Sequence, residues 1–317
     1  MVDAVQRARQ RWKILASVIK KQSLDKEDNE ISVRRFEGFN LFSKHVVHFD
    51  NECEADYEWL DYRHDSIADQ SLFIKQRCRK VILEDLTGFD NTGNVCLWPS
   101  EEVLASYVLN QKYQFDGKAV CELGAGMTGL AGIFLASIGN PSKVLLTDGN
   151  SDCVENMEAI IYQNKPLFGS TDVSSQRLLW VENSDLSDLE SQFDLIISAD
   201  CLFFTESHSG LLYVIETLLK DNGSAIIIAP QRKYTLKSFC SKAVSQFSVA
   251  EIENYDSTMW ARHLMAKKQD PMYDEDIHYP VLLLLSKKQN NSVSWQCEIY
   301  SYYNSMVIYR RIMYWLL

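Results

Sequence analysis

The chain is predicted to be an α/β protein with a doubly wound sheet of seven strands behind an N-terminal accessory layer. Three observations predict it. An apolar run, Val120 to Leu123, turns into closely spaced glycines at Gly124, Gly126 and Gly129, and a second apolar run, Val144 to Thr147, ends in Asp148. Strand, tight turn, helix and a second strand tipped with a carboxylate is the order of a parallel βαβ unit. Apolar runs then keep alternating with segments of helical period as far as Lys287. Finally, 46% of the 317 residues are apolar, enough for a large core, yet no stretch approaches the roughly 20 consecutive apolar residues of a membrane span.

In chain order, residues 1–90 are expected to hold a basic helix and accessory strands. Between Arg11 and Lys21, Trp12, Leu15 and Ile19 share one helical face and the charges take the others. Such a helix suits an acidic hydrophobic groove, a membrane surface, or the chain's own core, and the spacing alone does not choose among these. Short strands are predicted at Ser32–Phe36, Leu72–Lys75 and Val81–Leu83. The main domain is expected over 91–288. Its predicted strands are Ala119–Leu123, Lys143–Thr147, Arg177–Val181, Phe193–Ala199, Ser224–Pro230, Phe247–Asn254 and His278–Lys287. Its predicted helices are Thr128–Ser137, Cys153–Asn164, Ser209–Lys220 and Leu236–Phe247. A long polar excursion, Ser257 to Ile277, falls where substrate contacts are expected. Residues 289–317 carry five tyrosines without a clean period and form an extension to which no role is assigned.

The glycine turn implies an adenosine-type ligand. Gly124 and Gly126 let the backbone approach it without a Cβ in the way, Gly129 lets the next helix pack closely, and Asp148 is placed to accept hydrogen bonds from two ribose hydroxyls. Gly124-x-Gly126-x-x-Gly129 also satisfies the dinucleotide pattern, so it does not by itself separate NAD from S-adenosylmethionine. Glu122 tilts the choice: a carboxylate just before the glycines suits a cationic sulfonium, whereas a pyrophosphate wants a helix N-terminus.

Charge and cysteine usage exclude other classes. A net charge of −11 argues against a general nucleic-acid binder, although residues 1–35 carry nine basic against five acidic residues. The eight cysteines are scattered without a Cys-x-x-Cys pair and apart from the histidines, so reduced thiols are expected and no metal site. The expected setting is cytoplasmic or nuclear, with no membrane partner and a monomeric chain.

Two further clusters carry chemistry. The apolar run Phe193 to Ala199 emits Asp200 and then Phe203 and Phe204 at its C-terminal end, the edge where α/β sheets place ligands; a helix N-cap is the structural alternative for Asp200. At the other, Pro99 and Ser100 open a helix with Trp98 at its mouth, where it walls a pocket or plugs the core.

On these residues the chain resembles the seven-β-strand protein-lysine methyltransferases. The resemblance is carried by Asn91 to Leu104, Glu122 to Thr128, Leu145 to Asn150, Ala199-Asp200-Cys201-Leu202-Phe203 and His278-Tyr279-Pro280, and runs from about Trp12 to Lys288. It implies S-adenosylmethionine as cosubstrate, surrounded by Trp98, Gly124, Ala125, Gly126, Asp148, Trp180 and Ala199, with Trp180 near the adenine. It implies calmodulin as the protein substrate, methylated up to trimethyllysine, with Asp200 beside the acceptor lysine. Phe203 stands where many relatives have Tyr, so no phenolic hydroxyl is present there. A free lysine amine, with a pKa near ~10.4, must lose its proton before it attacks, and a channel lined by Trp98, Phe203 and Phe204 is expected to favour the neutral form by desolvation.

Overall fold

The computed structural model describes residues 36, 38–49, 56–67, 71–78 and 96–288. The basic helix at 11–21, the predicted strand at Val81–Leu83, nearly all of that at Ser32–Phe36, residues 91–95 and the extension 289–317 lie outside the described residues.

The accessory layer is a three-stranded antiparallel meander of β1 (Ser43–Val47), β2 (Tyr57–Arg63) and β3 (Leu72–Arg77). Only β3 follows the sequence expectation. The central strand buries Trp59, Leu60 and Tyr62, and β3 adds Leu72 and Ile74 to the same core.

The main domain opens with α1 (Pro99–Asn110). Trp98 holds extended backbone before it, and Pro99 takes the first helical position, where a missing N–H costs nothing. The strand β4 (Ala119–Leu123) leads into α2 (Leu130–Ile138), and β5 (Lys143–Asp148) into α3 (Ser151–Asn164). The Asn150 side chain caps α3 by accepting from the backbone N–H of Asp152 and Cys153. This helix also ties the meander down. The Asn164 amide both accepts from and donates to the Phe73 backbone, at 2.9 and 2.7 Å, and the Asn156 amide donates to Lys75 and Met127 carbonyls.

There follow β6 (Asp172–Arg177), β7 (Phe193–Ala199), α4 (His208–Leu218), β8 (Leu219–Pro230), α5 (Thr235–Ala243), β9 (Phe247–Ile252), α6 (Ser257–Gln269), α7 (Glu275–His278) and β10 (Pro280–Lys287). The seven-stranded sheet has the order β6-β5-β4-β7-β8-β10-β9. It is parallel except for β10, which lies antiparallel between β8 and β9, Val281 opposite Ala229 and Leu284 opposite Ala250. Its middle strands are largely apolar and buried, as expected of strands covered on both faces.

Two expected elements move. The third main strand is Asp172–Arg177 rather than Arg177–Val181, because pairing to β5 selects the polar run (Lys143 opposite Asp172, Asp148 opposite Arg177) and leaves Leu178 to Val181 in the loop beyond. The polar excursion contains α6 and α7, capped by Asp256 and Asp274. No described helix is long and apolar enough to cross a membrane.

The winding places the site. From β4 the chain runs outward through β5 to β6, then returns to β7 on the other flank of β4. The reversal leaves a crevice outside the carboxyl ends of β4 and β7, the position at which open α/β sheets bind ligands.

Candidate functional site

Beyond β4, Gly124, Gly126 and Gly129 all have positive φ, at 68°, 60° and 53°, a conformation an L side chain resists. Gly124 is needed twice over, since a Cβ there would stand 3.0 Å from Cζ2 of the Trp180 indole. The turn is pinned from the adjacent strand: Asp148 Oδ2 accepts the Gly126 N–H and Oδ1 accepts the Asn150 N–H, both at 2.9 Å, while Ala125 N–H donates to the Thr147 carbonyl. Asp148 is 8% exposed rather than open at a strand tip. Trp180 is held against Gly210 of α4, where a Cβ would come within 2.1 Å of the Trp180 carbonyl oxygen. Gly124, Ala125, Gly126, Asp148 and Trp180 therefore form one cluster.

Glu122 does not join it. The carboxyl is fully buried, and its Oε2 accepts the Gly132 N–H in the first turn of α2 at 2.8 Å. Glu101 of α1 meets the same turn, accepting from the Ala131 N–H at 3.4 Å. Burial raises Glu101 to about 7, and burial with the neighbouring Glu101 charge raises Glu122 well above the ordinary carboxylate range. At neutral pH the pair retains a proton, so the expectation of a Glu122 charge facing a sulfonium is corrected: the side chain locks the helix behind the glycine turn. Glu101 was missed, because Pro-Ser-Glu-Glu reads as an ordinary charged first turn.

The pair makes a stability prediction. A carboxyl whose folded pKa is raised contributes stability that is complete below its unfolded value near 4.5 and is lost as pH rises through the folded value near 7. Thermal melts from pH 5 to pH 8 should show the wild-type Tm falling more steeply than that of Glu101→Gln, whose amide is neutral throughout. The difference should be on the order of 3 kcal/mol across that window. Parallel curves would remove the pair from the account.

At the end of β7, the small buried Ala199 is followed by Asp200 at φ 56°. Asp200 caps no helix; α4 begins after Ser207. Its carboxylate forms an ion pair with Arg232, Nη2 donating to Oδ2 at 2.8 Å and Nη1 standing 2.6 Å from Oδ1, with the Asp200 and Arg232 side chains 10% and 17% exposed; Oδ1 has no hydrogen-bond partner. The guanidinium also lies 5.0 Å from the Phe203 ring centroid. Arg232 was missed, and its signal was indirect: an acidic group at a buried sheet edge requires a counter-charge.

A cavity of about 400 Å³ opens here, lined among others by Phe36, Trp98, Asp200, Arg232, Met272 and His278. Trp98 and Asp200 thus share a space. Phe203 is 42% exposed and stands beyond Arg232, while Phe204 turns into the interior with its ring edge-on to Phe203; the cavity wall is supplied by Phe36 and Met272 instead. The neighbouring Cys201 thiol is pushed up to about 12 by burial, which removes it as a nucleophile.

Residues 80–246 match the family described as lysine methyltransferase. The calmodulin-lysine N-methyltransferase of Arabidopsis thaliana is 35% identical over 88% of this chain and 96% of its own length. The protein N-lysine methyltransferase METTL21A of Danio rerio is 32% identical over 51% of this chain and 71% of its own. The histone-arginine methyltransferase METTL23 of Mus musculus is 32% identical over 40% of this chain and 48% of its own.

Proposed function

This chain belongs to the lysine methyltransferase family, and from that membership we propose that it methylates a lysine of calmodulin from S-adenosylmethionine, up to trimethyllysine. The observation that carries the choice of acceptor is the extent of the likeness to the plant enzyme, which takes in 96% of that protein and includes the accessory layer and the excursion after β9. The shorter likenesses to relatives with other printed acceptors support the transfer chemistry only.

The clustered residues fit the cosubstrate. The glycine turn offers a backbone cradle that a Cβ would fill, and Asp148, which pins that turn, brings a carboxylate to its edge for a ribose diol. Gly124, Ala125 and Gly126 would hold the methionine end, Trp180 would lie along the adenine, and Trp98 and Ala199 would wall the passage to the cavity. When bound, S-adenosylmethionine supplies an electrophilic methyl on a sulfonium.

The remaining work belongs to the chain. Trp98, Phe36 and Met272 exclude water around the acceptor side chain, which favours the neutral amine. Asp200 accepts a hydrogen bond from that amine and aims its lone pair at the methyl, so that the N–C bond forms as the S–C bond breaks and the displaced proton leaves to solvent. Trp98 and Phe36, which line the cavity, offer aromatic faces to methylated ammonium products in place of Phe203.

The test is transfer from labelled S-adenosylmethionine to unmethylated calmodulin by the full chain, followed by mapping of the modified lysine. Labelling of one lysine with one to three methyl groups is expected. A chain that labels another protein in a cell lysate and leaves calmodulin untouched overturns the acceptor.

A further inference from the structure

A carboxylate beside an acceptor amine poses a conflict. Opposite charge within ~4–6 Å raises an amine's pKa by about 1–3 units, yet the nitrogen must be unprotonated to attack. The geometry points to Arg232 as the positioning residue that resolves this: by cancelling the charge of Asp200, it lets that carboxylate orient the acceptor as a neutral amine instead of holding it as ammonium. The inference rests on the lysine-acceptor reading proposed above.

Three observations carry it. Arg232 donates one hydrogen bond, to Asp200 Oδ2, and its Nη1 stands 2.6 Å from Oδ1 as an ion pair, while Oδ1 itself, buried, has no hydrogen-bond partner, so the charge is balanced and acceptor capacity remains on the carboxylate. Both partners line the same cavity as Trp98 and are nearly buried, so water does little of the neutralising. Both also sit on backbone that an L residue adopts reluctantly, Asp200 at φ 56° and Arg232 and Lys233 at 41° and 63°. Such strain persists only where the surroundings impose it. Here the Asp200 N–H donates to the Ile228 carbonyl, the Arg232 N–H to the Asp276 carbonyl, and the Lys233 N–H to the Asp276 carboxylate. The fold fixes the pair from the backbone of two strands and of α7.

The other charges around the cavity leave the balance with this pair. Asp274 is exposed and screened by water. Asp276 is committed to the Lys233 backbone. His278 accepts from the Asp274 N–H through Nδ1, and burial lowers its pKa, so it is neutral. Among the described residues the counter-charge facing Asp200 is therefore Arg232.

The experiment is the pH dependence of kcat/KM for the full chain with unmethylated calmodulin, together with calorimetric affinity for S-adenosylmethionine. In Arg232→Gln the limb that rises with amine deprotonation should move to higher pH by about 1–3 units. Activity at pH 7 should fall at least tenfold and recover as pH approaches 9.5, with cosubstrate affinity within twofold of wild type. Arg232→Lys should keep the limb within about half a unit of wild type, since it keeps the charge. The double variant Asp200→Asn, Arg232→Gln should return the limb toward its wild-type position even though its maximal rate is low. A uniform loss at every pH in Arg232→Gln, or a double variant whose limb stays with the single variant, overturns the inference and assigns Arg232 to structure. Absence of lysine transfer by the wild-type chain overturns the acceptor reading and the inference together; transfer with an unmoved limb overturns the inference alone.

Discussion

Asp148→Ala is expected to weaken S-adenosylmethionine binding by at least a hundredfold. Two hydrogen bonds from ribose hydroxyls to a charged acceptor are lost, each contributing ~1.5–3 kcal/mol, and the combined ~3–6 kcal/mol corresponds to at least two decades in Kd. A second loss adds to the first. The same carboxylate accepts the N–H groups of Gly126 and Asn150, so its removal also frees the glycine turn whose shape the ligand needs. The backbone contribution can be separated with Asp148→Asn, whose single carbonyl oxygen replaces one of the two anchors and whose binding should fall between wild type and Ala. Calorimetry that finds the Ala variant binding as tightly as wild type would remove the ribose assignment.

Asp200→Asn is expected to lower kcat about a hundredfold or more with S-adenosylmethionine affinity unchanged, since general-base and orienting groups commonly supply ~10²–10⁴ in rate. Asparagine is the informative replacement. Both replacements remove the charge that faces the Arg232 guanidinium, 17% exposed, but asparagine keeps a carbonyl oxygen for it to donate to, whereas alanine leaves it with neither, and stranding one member of a buried pair costs on the order of 3 kcal/mol of stability. If the Asn variant loses cosubstrate affinity in step with kcat, Asp200 acts on the donor side and the assigned role is wrong.

The sequence and the structure agree where hydrophobic burial dictates both. β4 and β7 lie within their predicted bounds because Val120, Cys121, Ile196 and Ile197 belong to strands buried on both faces, and such strands read as continuous apolar runs. Agreement fails where apolarity serves a site. Leu178 and Trp180 look like strand, but both lie in the loop beyond β6, from which Trp180 covers the glycine turn, while the true strand Asp172–Arg177 sits at an edge where a polar sequence suffices. The helix Ser257–Gln269 buries only Met259 and His263 and so carries no apolar stripe to be read; its one local mark is Asp256, the N-cap. Trp98, Asp148 and Asp200 stand out in the sequence by residue type at strand or helix ends, and the structure puts Trp98 and Asp200 on one cavity and Asp148 under the glycine turn. Glu122 was visible as a charge and misread as to direction, and Arg232 was invisible, because both depend on which side chains meet across the sheet.

The placement of β10 has a consequence in the time dimension of synthesis. The strand between β8 and β9 is the last of the sheet to be made, and it pairs through residues 280–287, beyond the family match that ends at residue 246. During translation, at ~5–20 residues per second, the outer edge of β8 from Ser224 to Pro230 is exposed with its backbone groups unpaired and Ile226, Ile227 and Ile228 beside them. β9 cannot cover that edge, because in the finished sheet it touches β10 alone. A nascent or truncated chain ending near residue 246 therefore presents a long apolar strand edge, the kind of surface that recruits other chains. The segment most recognisable as the enzyme is one that should aggregate without the strand that follows it.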